Sequence, residues 1–139
     1  TKAESIAMDT ALCAVFVDHI QLIRSQDKFN SRHLEISAIS NELKSLAKNL
    51  EVPVIALSQL NRGVEHRGNK RPKLSDMKES GDLEQDADVV IGLYRETKET
   101  NRLELAGIKG RDTGTWQGVL HFDRFTQKIR NAQEDINGE

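Results

Sequence analysis

The sequence predicts an α/β domain built on a mostly parallel sheet, and three observations carry that prediction. Two short apolar stretches, Ala14 to Val17 and VPVIALSQL from Val52 to Leu60 with its gap-free run Val52 to Ile55, each break off into polar residues, Asp18 after the first and Ser58-Gln59 within the second. Between them Ile36, Ile39, Leu43, Leu46, Ala47 and Leu50 recur at steps of three and four, one stripe along a helix. A third run, Ala87 to Leu93, centres on Val89, Val90 and Ile91. Strand, helix, strand is a parallel crossover unit, and strands covered on both faces read as apolar runs without gaps.

Taken in order, Lys2 to Leu12 reads as a weak amphipathic helix with Ile6, Met8, Ala11 and Leu12 on it. Cys13, among Leu12, Ala14 and Val15, is expected to be a buried small hydrophobe. The strand that follows is expected to be buried with Asp18 at its tip. Arg24 to Arg32 is a polar loop, and Asn30 or Ser31 can cap a helix from about His33 to Leu50. Pro53 stands at the start of the next strand, where a missing amide is tolerated.

From Arg62 to Lys78 the chain is basic. Arg62, Arg67, Lys70, Arg71, Lys73 and Lys78 face only Glu65 and Asp76, with Gly63, Gly68 and Pro72 breaking regular structure. The sign then reverses through Glu79, Asp82, Glu84, Asp86 and Asp88. Arg102 to Lys109 and Gln117 to Phe122 read as strands of a hairpin turning through Asp112-Thr113-Gly114. Arg124 to Glu139 is a polar edge segment and tail.

A chain of 139 residues is expected to form one domain with one core. Its net charge of -2 predicts no global attraction to nucleic acid, so such a site has to be local. One cysteine excludes an internal disulfide and a cysteine metal cluster, and His19, His33, His66 and His121 lack zinc-like spacing. No apolar run reaches bilayer length and no signal-peptide pattern is present, so an intracellular protein is expected. The first residue is Thr1, not methionine, and the chain is expected to be a piece of something longer.

Four constellations carry chemistry. An acid ending an apolar strand, as Asp18 does, can hold the magnesium that bridges nucleotide phosphates, or simply be solvated. Gln59 at a strand tip can orient water or sense a phosphate, because its amide donates and accepts; it can equally satisfy loop backbone. The basic loop can follow a phosphate backbone, although it has almost no aromatic residues for stacking, and a loop neutralised by the acidic stretch is the rival reading. Lys109 and Arg111, alternate residues at a strand end, can reach one anion or merely flank a turn. No GxxxxGK[ST] phosphate cradle occurs anywhere.

The string PVIALSQLNRGVEHRGNKRPKLSDMKESGDLEQDADVVIGLYR, with FVDHIQLI before it and IKGRDTGT after it, resembles the RecA-like motor domain of hexameric replicative DNA helicases of bacteria and phages. The resemblance runs from about Ala14 to Phe125 with its motifs in family order; SQLNR and ESGDLEQDAD are its most specific parts. It implies the carboxy-terminal part of a RecA-like P-loop NTPase domain with a terminal β-hairpin and its P-loop strand missing. By position it makes Asp18 the acid of the Walker B strand and Gln59 the link between nucleotide site and DNA-facing loops. Lys78, Glu79 and Gly81 fall in the channel loop that touches DNA, where arginine is commoner than Lys78. With Arg62, Arg67, Lys70 and Arg71 they form the expected DNA-binding set. Lys109 and Arg111 match the pair projected into the next subunit's ATP site, Arg111 as arginine finger. His19 stands where tyrosine is common.

The implied parent is a cytoplasmic ring that uses ATP and Mg²⁺ to move 5′ to 3′ on single-stranded DNA, with primase and a helicase loader as partners. This chain alone is expected not to hydrolyse ATP. The P-loop strand would lie between the strands of Ser58-Gln59 and Val89-Ile91, so its absence predicts unpaired edges and self-association. The alternative is a non-enzymatic remnant serving as a DNA-binding or protein-interaction module.

Overall fold

The computed structural model describes residues 12–132 and, within 78–82, the backbone alone. The helix expected over Lys2–Leu12 lies outside the described residues apart from Leu12, as does the tail from 133. The chain separates into two compact units, one reaching to Asn61 and taking in Met77–Ala87, the other comprising Arg62–Asp76 and the chain from Asp88 onward.

In the first unit β1 (Val15–Val17) and β2 (Val54–Ala56) pair in parallel, with Val15 opposite Val54, Phe16 opposite Ile55 and Val17 opposite Ala56. The helix α1 (Arg32–Leu50) connects them as the apolar spacing required. Ser31 is its cap: extended in backbone, it accepts a hydrogen bond from the Leu34 amide at 3.3 Å. Glu51, in the left-handed region at φ 52, ends the helix. Ile36 and Ile39 are buried as expected, but so are Ser37 and Ser40. Ser40 is accommodated because its hydroxyl donates to Asp86 at 2.6 Å, on the short helix α2 (Gly81–Asp86), which packs on α1. Sequence periodicity held no sign of α2.

The expectation of fully buried strands is corrected here. Phe16 is 75% exposed and its partner Ile55 42% exposed, while Val15, Val17 and Val54 are half-buried. One face of a pair of three-residue strands is therefore open to solvent. Cys13 is exposed too, because it precedes the first ladder bond, from the Val15 amide to the Pro53 carbonyl.

The second unit is an antiparallel sheet in the order β3 (Val89–Tyr94), β4 (Arg102–Gly110), β5 (Trp116–Asp123) and β6 (Lys128–Asn131). The hairpin expected at 112–114 joins β4 to β5, with Gly114 at φ +66, and the polar segment after Arg124 supplies β6 as an exposed edge. β3 is not the buried strand expected, since Val89, Ile91 and Leu93 are each about half exposed. It has a neighbour on one side only, as has β2, so each strand keeps one edge without a ladder partner among the described residues. The parallel pairing of the described chain is confined to β1 and β2.

Candidate functional site

The first candidate cluster grows from the parallel register. Because Val17 lies opposite Ala56, both strands finish together and release their next residues at neighbouring tips. The Leu57 amide donates to the Val17 carbonyl at 2.9 Å and the Ile20 amide to the Leu57 carbonyl at 3.0 Å, which carries the pairing past the strand ends. Ile20, wholly buried, anchors the exit of β1 in a single 3-10 turn, Ile20–Leu22. Asp18 stands before that anchor with its side chain 79% exposed and its carboxylate 3.9 Å from His19 Nδ1. Gln59 is exposed beyond β2, and Ser58 is half-buried beside it.

Sequence reading missed the residue that binds these tips together. The Gln21 side-chain amide donates to Ser58 Oγ at 3.0 Å and to the Gln59 carbonyl at 3.3 Å, while its oxygen accepts from the Gln59 amide at 3.2 Å. Gln21 is itself held by Arg32 at the start of α1, whose Nη2 donates to the carbonyls of Gln21 at 2.8 Å and Ile23 at 3.1 Å. Arg32 pairs in turn with Glu35, which also accepts from the Ser25 amide at 3.0 Å. The hydrogen bonds from Arg32 and from Ser25 hold the Glu35 carboxyl below its usual range.

The basic loop turns out to be internally braced in part. Arg67 donates from both terminal nitrogens to Asp76, at 2.6 and 2.9 Å, and also to the carbonyls of Asn69 and Arg71. Burial pushes the Asp76 carboxyl up, but the Arg67 guanidinium and the Lys73 amide outweigh it and keep it below the ordinary value. Arg71 forms a forked pair with Glu104 at 2.7 and 2.9 Å and lies over the Tyr94 ring. These bonds shape the segment around the buried Val64 and Pro72. Arg62 and Lys70 are exposed on it. Lys78 and Glu79 lie in the 3-10 segment Leu74–Ser80, and Gly81 opens α2.

The remaining candidates sit at the far end of the β3–β4 ladder. Val90 lies opposite Lys109 but Ile91 opposite Gly107, so Ile108 is an extra residue, a bulge that bends β4 just before its end. Lys109 is half-buried in β4 and Arg111 follows the strand in the turn. The Arg111 amide donates to the Asp88 carbonyl at 2.9 Å and its Nη1 lies 3.2 Å from the Asp88 carboxylate. Both side chains remain more than half exposed. The turn is tight at Gly110, where a Cβ would overlap Thr113 Oγ1. An open groove of about 530 Å³ beside this hairpin, floored by Pro72, Leu74 and Trp116, gathers none of the candidate residues.

Asp18 and Gln59 thus share the first unit, whereas Lys109 and Arg111 belong to the second. Among the described residues no three metal-ligating side chains cluster, and no helix is long and apolar enough to cross a membrane.

The chain is 45% identical over 139 residues to "Replicative DNA helicase DnaB" of Mycobacterium leprae (strain TN), covering 93% of this chain and 23% of that protein. It is 46% identical to "Replicative DNA helicase DnaC" of Bacillus subtilis (strain 168), covering 95% of this chain and 31% of that one. The chain therefore spans less than a third of the length of these relatives. Among solved structures, one described as an ATPase domain superposes with a TM-score of 0.85 at 38% identity, covering 95% of this chain and 49% of that one. A DnaB-like replicative helicase, described with its interactions with primase, also matches at a TM-score of 0.85, with 38% identity over 94% of this chain and 33% of its own. The fold is that of the RecA-like ATPase domain. With residues 1–131 matching its family description, the chain belongs to the DnaB-like helicase C terminal domain family.

Proposed function

We propose that this chain forms part of the motor of a ring-shaped replicative DNA helicase, which uses ATP to move along single-stranded DNA and separate duplex. The observation that supports this most is the shared ending of β1 and β2, which sets an exposed carboxylate and an exposed carboxamide at adjacent strand tips. An open carboxylate suits Mg²⁺, which keeps several waters and takes one or two protein carboxylates. Asp18 would hold that ion, and Mg²⁺ would supply charge neutralisation on the phosphates. Gln59 offers a donor and an acceptor toward water or phosphate. The sequence has no GxxxxGK[ST], so phosphate binding needs a cradle from elsewhere in the protein, and the chain alone is inactive toward ATP.

In this reading both units belong to one motor domain, and Lys109 and Arg111 act on the nucleotide of an adjoining subunit in a hexamer. Arg62, Lys70, Lys78, Glu79 and Gly81 face DNA. Arg67 and Arg71 shape their loop through Asp76 and Glu104 and contact DNA with what charge remains. Primase and a loader are the protein partners, and the setting is the cytoplasm of a bacterium, or of one infected by a phage.

The test uses the full-length protein that carries this chain, on a forked duplex with a 5′ single-stranded tail. Asp18→Asn should lower ATP hydrolysis and unwinding together by about 100-fold or more. Lys70→Ala should weaken single-stranded DNA binding and reduce its salt slope by about 1. Unwinding at the wild-type rate in Asp18→Asn would overturn the motor reading and favour an interaction module.

A further inference from the structure

We propose that Gln21 is a positioning residue that sets the reach of Gln59, making the exit of β1 and the tip of β2 one mechanical part. The inference rests on the reading of Gln59 given above. What carries it is the pattern of bonds. Backbone ladder bonds stop at Leu57, and past that point nothing in the β1–β2 pairing fixes Ser58 or Gln59. The Gln21 carboxamide takes over where the ladder ends. It accepts from the Gln59 amide and donates to the Gln59 carbonyl, the two backbone groups that a longer ladder would have paired with β1. Its third bond, to Ser58 Oγ, fixes the preceding side chain. A side chain is thereby standing in for backbone.

The same carboxamide depends on the helix that follows. Arg32 holds the Gln21 and Ile23 carbonyls, and Glu35 holds Arg32 and the Ser25 amide. The N-terminal turn of α1 is thus tied to the residue that clamps Gln59. Because Gln59 is exposed, its own side chain stays available for a ligand while its backbone is held. A carboxamide suits this position because it must both donate and accept. Leucine, of similar size, offers neither, and glutamate offers only the acceptor. A group held within about half an ångström of its working position is what rapid phosphoryl transfer needs, and small misplacements are costly.

The experiment is a double-mutant cycle in the full-length helicase, reading DNA-stimulated ATP hydrolysis as kcat and KM separately, with ring assembly followed by sedimentation. Gln21→Leu should lower kcat by about 10- to 100-fold with little change in KM for ATP. Gln21→Glu keeps the bond from the Gln59 amide and should lose less. The discriminating result is the pair Gln21→Leu with Gln59→Ala. If Gln21 acts through Gln59, the double variant is no slower than Gln59→Ala alone. Multiplying losses in the double variant would overturn the proposal, as would a wild-type rate in Gln21→Leu. If Gln59→Ala ran at the wild-type rate, the reading of Gln59 would fail. A slow Gln21→Leu beside it would then mean that Gln21 acts elsewhere, overturning the proposal as well. Should Gln21→Leu fail to assemble, Gln21→Glu and Ser58→Ala carry the same cycle.

Discussion

The two strand ends that bear the candidate chemistry are held in opposite ways. At the tip of β2 the Gln59 backbone is held from outside the ladder, by a carboxamide from the exit of β1 and, behind it, by the start of a helix. At the end of β4 the shape is set mostly by adjacent residues. A bulge and a tight glycine form the hairpin, and Asp88, just ahead of β3, adds a backbone bond and an ion pair to Arg111. The parallel pair needs distant sequence to hold its tip because parallel strands cannot be closed by a short turn. An antiparallel hairpin closes with its own turn, so it can project from a sheet and keep its shape. The first arrangement suits a group that must stay registered with its own subunit. The second suits one offered outward.

That contrast can be broken most decisively at Arg111. In the full-length ring, Arg111→Ala should lower ATP hydrolysis by roughly 10³ to 10⁵ while nucleotide binding by the same subunit is nearly unchanged. Mixed rings combining Arg111→Ala subunits with subunits lacking a working phosphate cradle localise the effect. Activity that followed only the number of intact cradles, whatever the neighbour, would return Arg111 to a charge beside a turn.

The self-sufficiency of the hairpin is tested at Gly107. A Cβ there would overlap Trp116 Nε1, so Gly107→Ala must displace the ring or bend β4. The expected loss is about 2 to 3 kcal/mol, the usual result of overpacking. Trp116 is the one tryptophan in the chain, so its fluorescence during denaturant unfolding reports on this sheet. An unchanged midpoint would mean the sheet has more slack than the contact implies.

A smaller effect sharpens the comparison within the same unit. Arg67→Ala removes both bonds to the buried Asp76 and should cost about 2 kcal/mol, whereas Arg71→Ala, whose own guanidinium is more than half exposed, should cost clearly less. The pH dependence follows in sign. Asp76 and Glu104 are held below their ordinary values, so the stability they contribute is complete above the unfolded range. It is lost as pH falls from about 4 through their lowered values. The Trp116 transition should weaken over that window, and less so in Arg67→Ala. Equal acid sensitivity in both proteins would remove Asp76 from the account.

Much of this was legible in the sequence wherever the signal is local. The stripe from Ile36 to Leu50 marked α1, Ser31 its cap, and Asp112-Thr113-Gly114 the hairpin. The strings SQLNR and ESGDLEQDAD pointed to the family that the comparisons then established. What the sequence hid depends on neighbours. The exposure of Phe16, Ile55, Val89 and Ile91 follows from how many layers cover a strand, which an apolar run cannot state. Arg67 read as one cation among several until folding brought Asp76 against it. Gln21 lay within FVDHIQLI, but that string drew attention only to Asp18 and His19, and the spacing of Gln21 from Ser58 gave no hint of contact. The one available signal was a carboxamide shortly after a strand-ending acid, opposite a second polar strand end. The bulge at Ile108 had none.

The pairing of Arg111 with Asp88 carries a last consequence. A guanidinium that already has a carboxylate beside it does not go from empty to occupied when it meets another anion; it trades one for the other. Both groups are more than half exposed, so parting them costs about 0 to 1 kcal/mol. The gain on meeting a phosphate is then a difference between two attractions, not the whole of either. An arginine that swaps partners in this way can engage and disengage repeatedly without ever being stranded between states.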